Sequence, residues 1–338
     1  MKKKKKEKKI LYQLIFSAFL LFSNAYLVKA NSDILSQDST GKYCINTEQD
    51  YYNFIENIQN YNNKTVILCN DIDISDVPEA TSSFGGILNG KGHTITYASK
   101  EAKENIAVFP FRINDNGIVE NINVQIDESY AYNSETDEFQ TVFSRCDGIA
   151  KGITIKGNVT CIYDDEDTDV YIGAIEGNGT LMDSSIAITY DLQSEKTIEE
   201  IADDIVDNDL SFEFCQLGTI NTGITYQNCI GYGQYSEAIK SLADELEPKI
   251  KDNTWGYLCV SFTRKSFFST SASATNCYYD KENMPDIKIM SEYITNRDNN
   301  KEFPNYADFG KTTSEMKNQG TYEGFDFNKK WTISPEDN

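Results

Sequence analysis

The feature that most constrains this chain is a short pattern that returns at fixed spacing between Asn116 and Tyr279. It reads Asn116-Gly117-Ile118-Val119-Glu120-Asn121-Ile122-Asn123-Val124, then Asp147-Gly148-Ile149-Ala150-Lys151-Gly152-Ile153-Thr154-Ile155, then Asn178-Gly179-Thr180-Leu181-Met182-Asp183-Ser184-Ser185-Ile186. Looser copies end in Asn228-Cys229-Ile230 and Asn276-Cys277-Tyr278. With anchors at positions 121, 152, 183, 228 and 276, the first two intervals are both 31 residues and the later two are 45 and 48. A second apolar knot precedes each of the first four anchors, at Val108-Phe109-Pro110-Phe111, Val142-Phe143, Ile172-Gly173-Ala174-Ile175 and Cys215-Gln216-Leu217. A repeat of this size cannot bury its apolar face alone and must stack on its neighbours. The expected architecture is an all-β solenoid in which short parallel strands, about 4.8 Å apart, pile like positions into ladders. One inward ladder is expected to hold Ile118, Ile149, Leu181 and Ile224, and a second Ile122, Ile153 and Ile230. Asn121, Asn228 and Asn276 are expected to stack at a corner, where amides satisfy backbone groups freed by the turn.

The two long intervals exceed the repeat by about one helix each. Ile198, Ile201, Ala202 and Ile205 form one apolar stripe, and Ile239, Leu242, Ala243 and Leu246 form another, so helical insertions are expected near 195–207 and 236–247. Both lie between an anchor and the next knot and should leave from the same side, where insertions often mark a binding face. Covering exposed strand surface is the plainer role. Upstream, Thr47-Glu48-Gln49-Asp50 has capping-box spacing and opens a helix through about Gln59, with Tyr51, Phe54, Ile55 and Ile58 on one face. This helix reads as an end cap. Residues 31–64 thus form an N-terminal segment, 65–279 the repeat domain, and 280–338 a polar loop followed by a capping tail with Phe325, Phe327 and Trp331.

Residues 1–30 combine the basic run Lys2 to Lys9, an apolar core at Leu14 to Phe22 and a small-residue exit at Val28-Lys29-Ala30. These are the parts of a secretory signal peptide. Without them the chain carries 23 basic and 52 acidic residues, a net charge of −29. Such a surface repels nucleic-acid phosphates and anionic headgroups, so no nucleic acid partner is expected. No membrane span is expected after cleavage of residues 1–30. All eight cysteines fall beyond that segment, and export permits disulfides whose connectivity spacing alone does not define. Cys229 and Cys277 follow aligned anchors and should sit one above the other, as a bridge or as two stacked thiols.

The runs Cys69-Asn70-Asp71-Ile72-Asp73-Ile74, Phe84 to Ile95, Tyr171 to Leu181 and the ending Thr313-Ser314-Glu315-Met316-Lys317 with Trp331-Thr332-Ile333 resemble the GLUG-motif proteins of bacterial surfaces. The resemblance implies a right-handed parallel β-helix, secreted or surface-associated, with adhesin-like or polysaccharide-associated roles and no shared catalytic residues.

Candidate chemistry is sparse. His93 is the one histidine and sits in a Gly-Lys-Gly-His-Thr-Ile corner, so a catalytic triad would have to use it alone. Asp71 and Asp73 are expected on one outward strand face, about 7 Å apart, a spacing compatible with glycoside hydrolysis. Arg112 and Arg145 trail successive knots and should neighbour each other; a lyase would use Arg145 as base beside an acidic loop. Asp165, Asp167 and Asp169 place oxygen ligands at alternate positions, which suits Ca²⁺, although the loop lacks the glycine and terminal glutamate of a helix-loop-helix site. Tyr232 to Tyr235 and Tyr278-Tyr279 offer rings for stacking on sugars. The reading these features favour is a non-catalytic binder of a glycan or an extracellular protein. The alternatives are a polysaccharide lyase or glycoside hydrolase on the same scaffold, and a purely structural surface protein.

Overall fold

A computed structural model describes residues 35–75, 80, 82–98, 108–131, 139–163, 169–217, 223–251, 254–261, 273–284, 287–289 and 309–332. The expected signal segment, Asp165 and Asp167 lie outside these residues. Among these residues, two sheets of fifteen and six strands carry the fold. The first runs through Tyr43–Ile45, Thr65–Leu68, Ile87–Asn89, Ile118–Ala131, Ile149–Ile162, Ser185–Gln193, Ile230–Gly231, Tyr278–Asp280 and Gly310–Lys311, with every step parallel. The second is built from the apolar knots: Phe109–Ile113, Phe139–Cys146, Val170–Ile175, Ser211–Cys215 and Tyr257–Ser261 are parallel, and Ile287–Ile289 closes the edge antiparallel. From Phe109 to Tyr279 the chain visits the sheets alternately, which is why sequential strands of one sheet are parallel neighbours rather than hairpins.

The 31-residue spacing sets the register. Leu88, Val119, Ala150 and Leu181 are successive partners 31 residues apart, extended by Val66 before them and Tyr226 after, and all six are at most 1% exposed. This corrects the expected ladder. Ile118 does lie beside Ile149, but both are half-buried and the next member of their row is Thr180; Leu181 belongs one residue further, and Ile224 lies opposite Gly179, whose carbonyl takes the Thr225 amide. Because strand side chains alternate faces, that single step separates core from surface. A second correction concerns Ile230. It pairs with Ser185, in the outward row of Asn123 and Thr154, whereas the row of Ile122 and Ile153 continues through Ser184 to Cys229. Ile72, Ile95, Val124, Ile155 and Ile186 form a further buried row.

The anchors share one backbone state. Asn121, Gly152, Asp183, Asn228 and Asn276 all have φ between +50 and +62°, the left-handed region that glycine, Asn and Asp tolerate best. Gly152 and Asp183 occupy the rungs between Asn121 and Asn228. Asn276 Nδ2 donates to Asn228 Oδ1 (3.4 Å) and Asn228 Nδ2 donates to Asp183 Oδ1 (3.0 Å).

Helix α1 (Glu48–Glu56) buries Tyr51, Phe54 and Ile55, and a 3₁₀ turn, Ile58–Tyr61, replaces its expected last turn. Thr47 accepts from the Asp50 amide, but the Asp50 side chain, shorter than a glutamate, takes the Asn46 amide (3.0 Å) in place of the reciprocal capping-box bond. Phe54 packs edge-on against Phe84 and Phe111, the Tyr51 hydroxyl donates to the Val108 carbonyl (2.6 Å), and α1 also packs on Tyr43–Ile45, so it touches both sheets near their beginning. A disulfide ties Cys44 to Cys69, Cα atoms 5.9 Å apart. Helices α2 (Ile198–Asp207) and α3 (Glu237–Leu246) stand where the stripes place them, bury those stripes and pack on each other. Lys249 links α3 to α2 through Asp203 (2.7 Å).

The tail adds Gly310–Lys311 as a last strand and then returns along the outer face. Tyr322, Phe325, Phe327 and Trp331 pack with Ile230, Tyr278 and Met316 in a small separate core, and Lys330 reaches Asp183 (2.7 Å). It therefore covers the side of the sheet as well as lengthening it.

Candidate functional site

The outward face of the first sheet is a regular surface. Its rows follow from the register: Asn123, Thr154 and Ser185; Gln125, Lys156 and Ala187; Asn158, Thr189 and Gln234. Gln125, Lys156, Asn158 and Gln234 are exposed, and the others are half-buried. The face presents amides, hydroxyls and an ammonium on a parallel lattice of about 4.8 Å between strands. Asn123 Nδ2 is fixed by the Gly92 carbonyl (2.7 Å). Beyond the lattice, the exposed large rings among the described residues are Tyr232 and Trp255, at 41% and 44%. Tyr235, Tyr278 and Tyr279 are buried instead.

Asp71 and Asp73 are both exposed and alternate with buried Ile72 and Ile74, as the pattern predicts. Asp71 Oδ1 accepts from the Thr94 amide (2.9 Å) and lies 3.0 Å from His93 Nδ1. The Thr94 amide first, then His93, hold the Asp71 carboxyl below the usual carboxylate value. Asp71 thus fastens the Gly90 to Thr94 corner to the preceding strand.

Arg112 and Arg145 are direct partners in adjacent strands. Both guanidiniums converge on Asp147 Oδ2, at 2.6 and 3.1 Å, and Arg145 also reaches Glu176 (3.4 Å). The Asp147 side chain is 5% exposed, and its other oxygen accepts from the Asn178 amide (3.1 Å). Burial works to raise its pKa, but the Arg145 and Asn178 hydrogen bonds and both guanidinium charges outweigh that and hold it low. Arg145 is engaged in this clasp, not aimed at the Asp71–Asp73 pair. Its acceptor Asp147 escaped sequence reasoning. The available signal was that Asn116, Asp147 and Asn178 precede glycines at 31-residue spacing.

Of the Ca²⁺ candidates, Asp169 is described. It accepts from the Ser211 amide (2.6 Å) and the Tyr171 hydroxyl (3.2 Å), joining neighbouring strands. Among the described residues no group of three or more His, Cys, Asp or Glu is placed to hold a metal ion. Nor is any described helix long and apolar enough to cross a membrane. Cys229 and Cys277 stack as buried thiols.

The fold and these surfaces define a mostly parallel two-sheet β protein with few helices. Comparison with protein-family models, characterised proteins and solved structures gives no match.

Proposed function

We propose that this chain is an exported, non-catalytic β-helix protein that holds a glycan or an extracellular protein on the outward lattice of its first sheet. In this reading the two sheets are walls of one right-handed parallel coil, as the resemblance to GLUG-motif proteins implies, and residues 1–30 direct export. The observation that carries the reading is the lattice itself. Polar groups repeated in register over three strands suit a repetitive or extended partner held by many weak contacts, whose combined strength exceeds each one. The Cys44–Cys69 disulfide accords with an oxidising compartment. The acidic balance of the chain favours neutral or cationic partners over polyanions.

The test is a glycan and extracellular-protein array probed with the full chain, run alongside a reducing-sugar release assay. Retention that falls at least tenfold in a Gln125→Ala/Lys156→Ala/Asn158→Ala variant, without sugar release, is the expected result. Sugar release abolished by Asp71→Asn/Asp73→Asn would replace the binder with a hydrolase.

A further inference from the structure

We infer that Cys229 and Cys277 are the site of a second disulfide, a cross-link between adjacent parallel strands that staples the last long repeat. The two residues follow the corner anchors Asn228 and Asn276 and occupy the same position in neighbouring strands. Gln227 pairs with Thr275 on one side of them and Ile230 with Tyr278 on the other, and the Tyr278 amide donates to the Cys229 carbonyl (2.9 Å). Parallel neighbours in this position have Cα atoms about 5 Å apart, inside the range of about 4.4 to 6.8 Å that disulfides span. The Cys229 thiol donates to the Leu181 and Gln227 carbonyls and the Cys277 thiol to the Thr275 carbonyl, each at 3.5 Å, so the two side chains sit alike on their paired strands. In the strand register, Cys146, Cys161, Cys215 and Cys259 each stand opposite a residue other than cysteine. Cys161 faces Leu192, Cys215 faces Ser261, Cys259 faces Glu213 and Cys146 faces Ile113. Cys215 and Cys259 are two residues out of register, beyond direct bridging distance.

The step is a thiol–disulfide exchange. The Sγ atoms of Cys229 and Cys277 join and lose two protons, while two electrons pass to a disulfide oxidant such as oxidised glutathione, whose S–S bond breaks to give two thiols. Both side chains are fully buried in the fold, so an oxidant in solution reaches them only while the chain is folding. The bond is therefore set during folding, as the corner ladder assembles.

The full chain, reduced and unfolded, is refolded in a glutathione redox buffer, quenched by alkylation in denaturant and digested for peptide mass spectrometry. Closure of Cys44–Cys69 serves as the internal control. Under conditions where that bond has closed, the bulk of Cys229 and Cys277 is expected in one cross-linked peptide, and a Cys44→Ser/Cys69→Ser variant is expected to keep it. Alkylated Cys229 and Cys277 alongside a closed Cys44–Cys69 bond would overturn the inference, as would pairing of either with a different cysteine.

Discussion

Gly157 shows how tightly single positions bind this fold. It falls in the row between Ile126 and Ile188, at φ +146°, and a Cβ there would run into the Ile126 carbonyl. Gly157→Ala is expected to destabilise the protein by about 3 kcal/mol or more, from left-handed strain and displaced backbone together. Urea unfolding measures it. Gly152 occupies a corner at φ +62° where the neighbouring rungs carry Asn121 and Asp183, so Gly152→Asn should cost much less. Asp147 makes a pH prediction. Its carboxyl titrates below its ordinary value of 3.8 in the folded protein, so the stabilisation is complete above the unfolded pKa and is lost as pH falls through the folded one. Asp147→Asn is expected to cost about 1–3 kcal/mol at pH 7, from two arginines left with a poorer acceptor. The gap to the native chain should narrow below about pH 4, a trend that thermal melts across pH will follow.

Among the elements, α2 and α3 were the most legible in the sequence, because apolar residues at helical spacing follow the caps Thr197 and Ser236. Their stripes bury Ile201, Ile205, Leu242 and Leu246. Leu242→Ala is therefore expected to cost about 2–5 kcal/mol, while Glu237→Ala on the exposed face stays within about 0.5 kcal/mol; denaturant midpoints separate the two. The strands were legible as a period but not in every rung. Leu181 looked like Ile118 and Ile149 in chemistry, yet position outranks similarity, and the 31-residue interval places Thr180 there. Beyond Asp183 the insertions break that interval, so Ile230 could not be assigned a face by counting. The candidate site divides in the same way. Exposure of Asp71 and Asp73 follows from local alternation, and adjacency of Arg112 and Arg145 follows from the repeat. Their capture by Asp147, the Cys44–Cys69 bond and the return of the tail onto Ile230 depend on contacts across the fold, for which no local spacing exists. Gln216 is another such case. Counted in an apolar knot, it is fully buried and supplies both an acceptor and a donor to the backbone of Ile188 (3.2 and 2.7 Å), beside Gly233.

At the scale of the whole molecule, the first edge of the stack is covered by the chain that precedes it. An antiparallel contact, Gln37 against Tyr43, lies on the first strand, and the Cys44 amide donates to Ser36 (2.8 Å), which hides a sheet edge that would otherwise invite other chains. Between the ends, stability should be close to a sum over neighbouring rungs, and the length of the stack should grow by one strand spacing per rung. The path Thr65, Ile87, Ile118, Ile149, Thr180, Thr225, Ser273 is one continuous in-register row. Spin labels on non-natural residues at Thr65 and Thr225, and in a second sample at Thr65 and Ser273, read that row by electron–electron double resonance without involving the native cysteines. Five and six rungs predict backbone separations of about 24 and 29 Å, an increment of one rung across a 48-residue step in sequence. A second distance equal to or shorter than the first, or longer by several rungs, would contradict the stacked register on which the account rests.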